Sequence, residues 1–205
     1  MTAEKQPKPF SDQLEGWLKG KQPKTLASLE EVFEDRSFAI TFLLLMILPA
    51  TPLPTGGITH IFELIVILLC LEMMAGRQSP WLPKKWKHMP LGKTFTGKVI
   101  PTIMKWIRWF ERHSSPRGKK FFTLPFAPQL LGFVILVFTL GALLAPPFSG
   151  LDTLPSLAVV IIGLSIILED LILFFVGLVA GVAGIALTFA LGTAIFESYH
   201  HFFSG

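Results

Sequence analysis

The sequence predicts an all-α integral membrane protein. It reads as two repeated helical hairpins of short, Pro/Gly-broken helices (half-length or re-entrant), a basic interfacial helix between them, and one long C-terminal helix. Three observations lead there. Apolar residues make up 51% of the 205-residue chain and charged residues only 16%, where about a quarter charged is usual, so a disordered or well-solvated chain is excluded. The charges are segregated: residues 77–120 carry twelve Lys/Arg against the single acid Glu111, and no Lys or Arg follows Lys120. The apolar stretches are mostly too short to cross a bilayer and are separated by Pro/Gly clusters. One cysteine excludes an internal disulfide framework and a cysteine-rich metal site.

Residues 1–37 are expected to form a cytoplasmic N-terminal tail and an amphipathic helix. About 36 polar residues precede the first apolar run and lack a basic n-region, so no signal peptide is read. Residues 1–24 are expected to be a loose tail. From Thr25 to Arg36, Leu26, Leu29 and Phe33 share one helical face, and Ser28 with Glu31 has the spacing of a capping box.

Residues 38–76 form the first membrane repeat, with apolar runs Phe38–Leu48 and Ile58–Ala75. At about 1.5 Å per residue the first run reaches roughly 16 Å, against about 30 Å for a bilayer core. Between the runs, Pro49, Pro52, Pro54, Gly56 and Gly57 break the helix. Residues 77–120 form a basic cytoplasmic or interfacial segment, because Lys/Arg-rich short loops stay on the cytoplasmic side and anionic lipid favours them there. Flanking apolar runs make anionic headgroups the expected partner, and no nucleic acid is expected. Trp81 and Trp86, with Lys84 and Lys85, read as interfacial anchors. Ile100, Ile103, Met104, Ile107 and Phe110 recur at helical spacing with Trp106 and Trp109 alongside, while Lys105, Arg108 and Arg112 lie opposite. Such a helix lies in the headgroup plane; the alternative is a stripe packed on protein.

Residues 121–205 form the second repeat with the long final helix, through apolar runs Leu130–Ala145, Leu154–Leu168 and Leu171–Phe196. The last, at roughly 39 Å, crosses with margin. Pro146, Pro147 and Gly150 repeat the break of the first half. These turns sit either at membrane depth, shielded by protein, or at the far interface of a thinned bilayer. Ile47-Leu-Pro49 and the run ending at Glu72 recur 97 positions later, at Leu144-Ala-Pro146 and the run ending at Glu169. This points to a duplication of the kind that builds sites in transporters. Two crossings per unit would make the repeats parallel, and an odd number would invert them.

Ionisable groups in apolar runs are functional candidates by default. His60 and Glu63, one turn apart, form a proton relay, a weak metal pair or an interior hydrogen bond, and two ligands alone make no metal site. Glu72 is close to Arg77, which suggests an interfacial salt bridge. Asp170 is placed to cap the last helix, and Glu169 favours the same dipole. Glu72 and Glu169 could instead converge on one pocket. Gly177, Gly181 and Gly184 form a small-residue stripe that serves packing within the chain or a homodimer. No nucleotide-binding loop, nucleophile elbow or zinc-protease helix occurs, so no catalysis and no cofactor are expected.

The runs Leu26-Ala-Ser-Leu-Glu-Glu to Arg36-Ser-Phe38, Leu48-Pro49 to Pro52-Leu-Pro54 and Met74-Ala-Gly-Arg77-Gln-Ser-Pro80-Trp81-Leu-Pro83 resemble the ExoD family of bacterial exopolysaccharide synthesis proteins. So do Pro146-Pro147-Phe, Leu154-Pro155-Ser-Leu-Ala and Leu168-Glu169-Asp170. The resemblance covers about residues 25–195. It implies a bacterial inner-membrane protein linked to exopolysaccharide production, and it carries over no catalytic residue. The expected role is that of a non-enzymatic accessory protein of exopolysaccharide synthesis or export, binding itself and other membrane proteins. The alternative is a transporter or channel for a small solute, ion or lipid.

Overall fold

Short apolar helices joined by Pro/Gly turns can satisfy their backbone only if they pack side by side, and the computed structural model shows that packing. It describes residues 9–33, 36–51, 58–81, 83, 87–88, 90, 92, 96–97, 100–113, 117–146 and 149–203, with side chains described up to Leu191 except those of Leu26, Glu30 and Ile58. Among the described residues there are nine helices and no strands. In chain order they are α1 (Phe10–Lys19), α2 (Leu26–Val32), α3 (Ser37–Met46), α4 (Ile58–Met74), α5 (Ile100–His113), α6 (Lys119–Phe122), α7 (Ala127–Leu143), α8 (Thr153–Leu168) and α9 (Leu171–Phe203).

The core is a ring of four helices. α3 packs on α4 and on α8, and α7 packs on α4 and on α8. Exchanging α3 with α7 and α4 with α8 leaves that pattern unchanged. The small residues that permit close approach fix the directions. A Cβ on Gly132, early in α7, would lie 3.3 Å from the Cys70 carbonyl, late in α4; one on Gly163, late in α8, would lie 3.2 Å from the Ala39 carbonyl, early in α3. The starts of α3 and α7 and the ends of α4 and α8 therefore share one end of the bundle, with both interhelical turns at the other. α9 lies along the outside of α8 and α7.

The expected loose tail is instead helical from Phe10 onward. Phe10, Leu14 and Trp17 fall on one face and are buried, which contributes about 1.5–3 kcal/mol per side chain removed from water. α1 runs antiparallel to α5, fastened at Ser11, whose N–H donates to Glu111 Oε1 at 3.1 Å, and at Glu15, which accepts from Arg108. Glu111 thus supplies the acceptor that the first turn of α1 lacks. This docking also corrects the expectation for the basic helix. Ile100, Ile103, Met104 and Ile107 are buried within the protein's own core cluster rather than facing headgroups, because α1 covers the stripe. The capping box of α2 sits three residues earlier than expected: Ser28 N–H donates to Thr25 Oγ1 and Thr25 N–H to Ser28 Oγ, both at 3.2 Å. Thr25 is the N-cap and Ser28 performs the reciprocal role usual for Glu, while also accepting from Trp17 Nε1 at 3.1 Å.

Candidate functional site

The shared end of the four-helix ring is open. A cavity of about 730 Å³ is lined by the feet of all four helices, with Phe38, Ala39, Met73 and Ile166 as its floor and Arg36, Arg77 and Gln129 at its rim. Each rim residue is placed by local geometry. α4 ends in a Schellman motif, with Gly76 at φ +84° and the N–H groups of Gly76 and Arg77 donating to the Met73 and Glu72 carbonyls at 3.1 Å. The motif turns the chain so that Arg77 follows directly at the mouth. Arg36 caps the start of α3, and one arm of its guanidinium meets Glu169 Oε1 at 3.2 Å. Among the described residues the Arg77 guanidinium has no ion-pair or hydrogen-bond partner. Among the described lining residues Glu31 is the one acid.

The cavity is closed below. One to two turns deeper along each helix, Phe42, Met46, Val66, Leu69, Ile135 and Ile162 are at most 1% exposed. Beyond that plug, toward the turn end, lies a buried polar knot. Glu63 has no exposed surface and its Oε2 meets His60 Nδ1 at 2.7 Å, while its Oε1 finds no partner. Ser156 Oγ is likewise buried and unpartnered, and Asp152 lies within electrostatic reach of Glu63. Among the described residues no three His, Cys, Asp or Glu side chains are grouped to hold a metal.

The remaining candidates do not converge. Glu72 Oε2 accepts from the Trp81 N–H at 2.7 Å rather than from the Arg77 side chain, because the helix-ending turn folds Trp81 back over it. Glu169 pairs with Arg36, and Asp170 Oδ1 accepts from the Ile172 N–H at 2.8 Å, the N-cap arrangement for α9. Neither Glu72 nor Glu169 lines the cavity. Trp81, Lys105, Trp106, Trp109 and Arg112 are exposed, whereas Arg108 is engaged by Glu15. Pro52, Pro54, Gly56, Gly57, Lys84, Lys85, Trp86 and Pro147 lie outside the described residues; Pro49, Pro146 and Gly150 occupy turns or coil beyond α3 and α7.

The glycines of α9 face inward. A Cβ would meet Ile162 Cγ1 at 2.6 Å from Gly177, the Phe138 ring at 2.5 Å from Gly181 and Pro155 Cδ at 2.7 Å from Gly184. They serve packing within the chain. Sequence reasoning gave no site role to Arg36 or Ser156 and read Arg77 only as a partner for Glu72. Arg77 belongs to the Gly-Arg-x-x-Pro-Trp stretch quoted above, yet its role emerges only once four helix ends meet.

Comparison with known proteins agrees on one family. The family model described as "Exopolysaccharide synthesis, ExoD" matches residues 10–190. An uncharacterized protein of Synechocystis is 26% identical over 184 residues, covering 88% of this chain and 81% of the relative. Protein ExoD of Rhizobium meliloti is 27% identical over 208 residues, covering 95% of this chain and 83% of the relative. No solved structure matches.

Proposed function

We propose, from the premise that the chain belongs to the ExoD family of exopolysaccharide synthesis, that it is a non-enzymatic inner-membrane accessory protein acting by binding rather than by passage or chemistry. The observation that carries this reading is the sealed plug. The cavity at one end and the polar knot at the other are separated by side chains with almost no exposed surface, so no wet path joins them. An open channel needs a continuous route between its two ends.

The membrane placement has its own support. The Leu171–Leu191 part of α9 is long enough to cross, with mean hydropathy 2.5 over its best window. Ile61, Leu64, Leu68 and Leu71 on α4 and Phe133, Val137 and Leu140 on α7 are large, apolar and exposed at helical spacing. An outward face of this kind suits lipid tails and costs dearly in water. The two hairpins are read as parallel repeats that enter from the basic side. α7 and α8, of 17 and 16 residues, reach about 24–26 Å, so the second hairpin turns back about 5 Å short of a full crossing, which local thinning of the bilayer absorbs. Exposed Trp81, Trp106, Trp109, Lys105 and Arg112 then meet anionic headgroups on the cytoplasmic side. Self-association, if it occurs through α9, uses the outer face of Phe175, Val179 and Val182, since the glycine face is filled.

The second reading, a transporter, draws on the unpartnered Glu63 Oε1 and Ser156 Oγ, since ionisable groups at such positions mark ion pathways elsewhere. A flux assay in liposomes separates the two. The accessory reading predicts vesicles no leakier than protein-free ones for protons, cations and sugars. Solute movement abolished by Glu63→Gln would replace it with the transporter.

A further inference from the structure

We propose that the cavity at the feet of the four helices binds a phosphate group carried on an apolar body. This inference rests on the binding reading above and names the ligand class. The rim supplies the electrostatics. Arg77 is an unpaired guanidinium at the mouth, and Arg36 opposite has donors to spare after its single contact with Glu169, since a guanidinium carries five N–H groups. Guanidinium groups lining one cavity suit the oxygens of a phosphate, which they bind through charge-assisted hydrogen bonds. The Gln78, Gln129 and Ser79 side chains add neutral polar groups at the same rim. Glu31 is the one acid among the described lining residues, and Glu169 offsets the charge of Arg36, so Arg77 carries the attraction for an anion.

The floor supplies the second half of the recognition. Phe38, Ala39, Met73 and Ile166 form an apolar bed directly beneath the arginines. An inorganic ion alone would leave that bed wet, whereas a phosphate with an apolar body attached fills both halves. The volume of about 730 Å³ falls within the range of roughly 300–1,000 Å³ of small-molecule sites. A phosphate on an apolar body could arrive within the leaflet as a lipid headgroup or from the aqueous side as a soluble phosphate ester, and the chemistry of the site is shared by both.

The test uses the full chain in phosphatidylcholine nanodiscs, with the thermal unfolding midpoint as readout. One arm dopes the discs with phosphatidic acid. The other adds phenyl phosphate or benzyl phosphate to plain discs, with inorganic phosphate and potassium chloride matched for ionic strength as controls. The proposal expects saturable stabilisation in at least one arm, weakened about tenfold or more by Arg77→Gln and partly restored by Arg77→Lys. Response to phosphatidic acid alone assigns a lipid source, and response to the soluble esters assigns an aqueous one. Arg77 is exposed on a turn, so its variants leave folding intact, and the apo midpoint verifies this. No stabilisation in either arm, the same shift with chloride, or stabilisation indifferent to Arg77→Gln would overturn the proposal. Solute flux in liposomes with phosphate binding intact would overturn the accessory reading alone.

Discussion

Replacing Gly181 with Ala should destabilise the folded chain without changing how many copies associate. The added Cβ would lie 2.5 Å from the Phe138 ring, where ordinary contact begins near 3.4 Å. Phe138 is 3% exposed and has nowhere to swing, so α9 or α7 must move outward by several tenths of an ångström. Overpacking of this kind costs about 1–3 kcal/mol, and the better helix propensity of Ala returns up to about 1 kcal/mol. A net loss of about 1–2 kcal/mol follows. Gly184→Ala should be as damaging or more so, because it meets Pro155 Cδ, Leu154 Cβ and the Pro155 nitrogen within 2.9 Å, none of which can rotate away. Gly177→Ala should also destabilise, since Ile162 Cγ1 at 2.6 Å belongs to a fully buried side chain and the Ala158 carbonyl lies 3.2 Å away. Ala183→Val on the exposed face is the control. The assay is reversible unfolding in detergent followed by circular dichroism, with oligomeric state read in parallel by light scattering. Unchanged stability in Gly181→Ala, or loss of a dimer with monomer stability preserved, would refute the inward placement of the stripe.

Four further outcomes follow from the same contacts. Ser28→Ala removes the capping acceptor and the partner of Trp17 Nε1 and should cost about 1–2 kcal/mol, seen in denaturant titration. His60→Ala strips the buried Glu63 carboxyl of its one partner and should cost about 1–3 kcal/mol, whereas Glu63→Gln, which keeps a side-chain acceptor, should cost less by the same titration. Ser156→Ala deletes a hydroxyl with no partner and should change stability by less than about 1 kcal/mol; a larger loss would mean the hydroxyl is used. The Glu15 carboxyl is held below its ordinary range, first by its hydrogen bond to Lys19 and then by the charges of Lys19 and Arg108. Its stabilising contribution is therefore complete above the unfolded-state carboxylate pKa, about 4.3, and is lost as pH falls through the lowered folded value. The hydrogen-exchange protection factor over residues 10–19, taken against the intrinsic rate at each pH, should fall on acidification through that range, and Glu15→Gln should flatten the response.

Much of the architecture was legible because it rests on local rules. The end of α8 and the start of α9 follow from where apolar residues stop and Asp170 can cap. The helical start at Ile58 follows from the Pro/Gly cluster before it. What stayed hidden depends on contacts far apart in sequence. α1 carries a modest apolar face at Phe10, Leu14 and Trp17 that reads as tail until the complementary stripe of α5 covers it, ninety or more positions away. The same stripe, seen without α1, looks like a lipid-facing surface, because exposed and partner-covered amphipathic faces have one sequence pattern. The cavity is less visible still. Arg36 and Arg77 are 41 positions apart and line one cavity only when the start of α3 and the end of α4 lie at the same end of the bundle. Conversely, the acids Glu72 and Glu169, matched by sequence, are separated in use because α4 continues past Glu72 for two residues while α8 ends just before Glu169.

The side from which each end of the bundle can be reached is the most direct test of the whole arrangement. With the lone Cys70 replaced by Ala, single cysteines at Gln78 and at Ser149 are exposed to a membrane-impermeant maleimide in spheroplasts and in inverted vesicles. Labelling of Gln78→Cys in inverted vesicles alone and of Ser149→Cys in spheroplasts alone is the predicted pattern. Labelling of both from the same side would contradict it, since the feet and the turns of the hairpins would then share one face of the membrane.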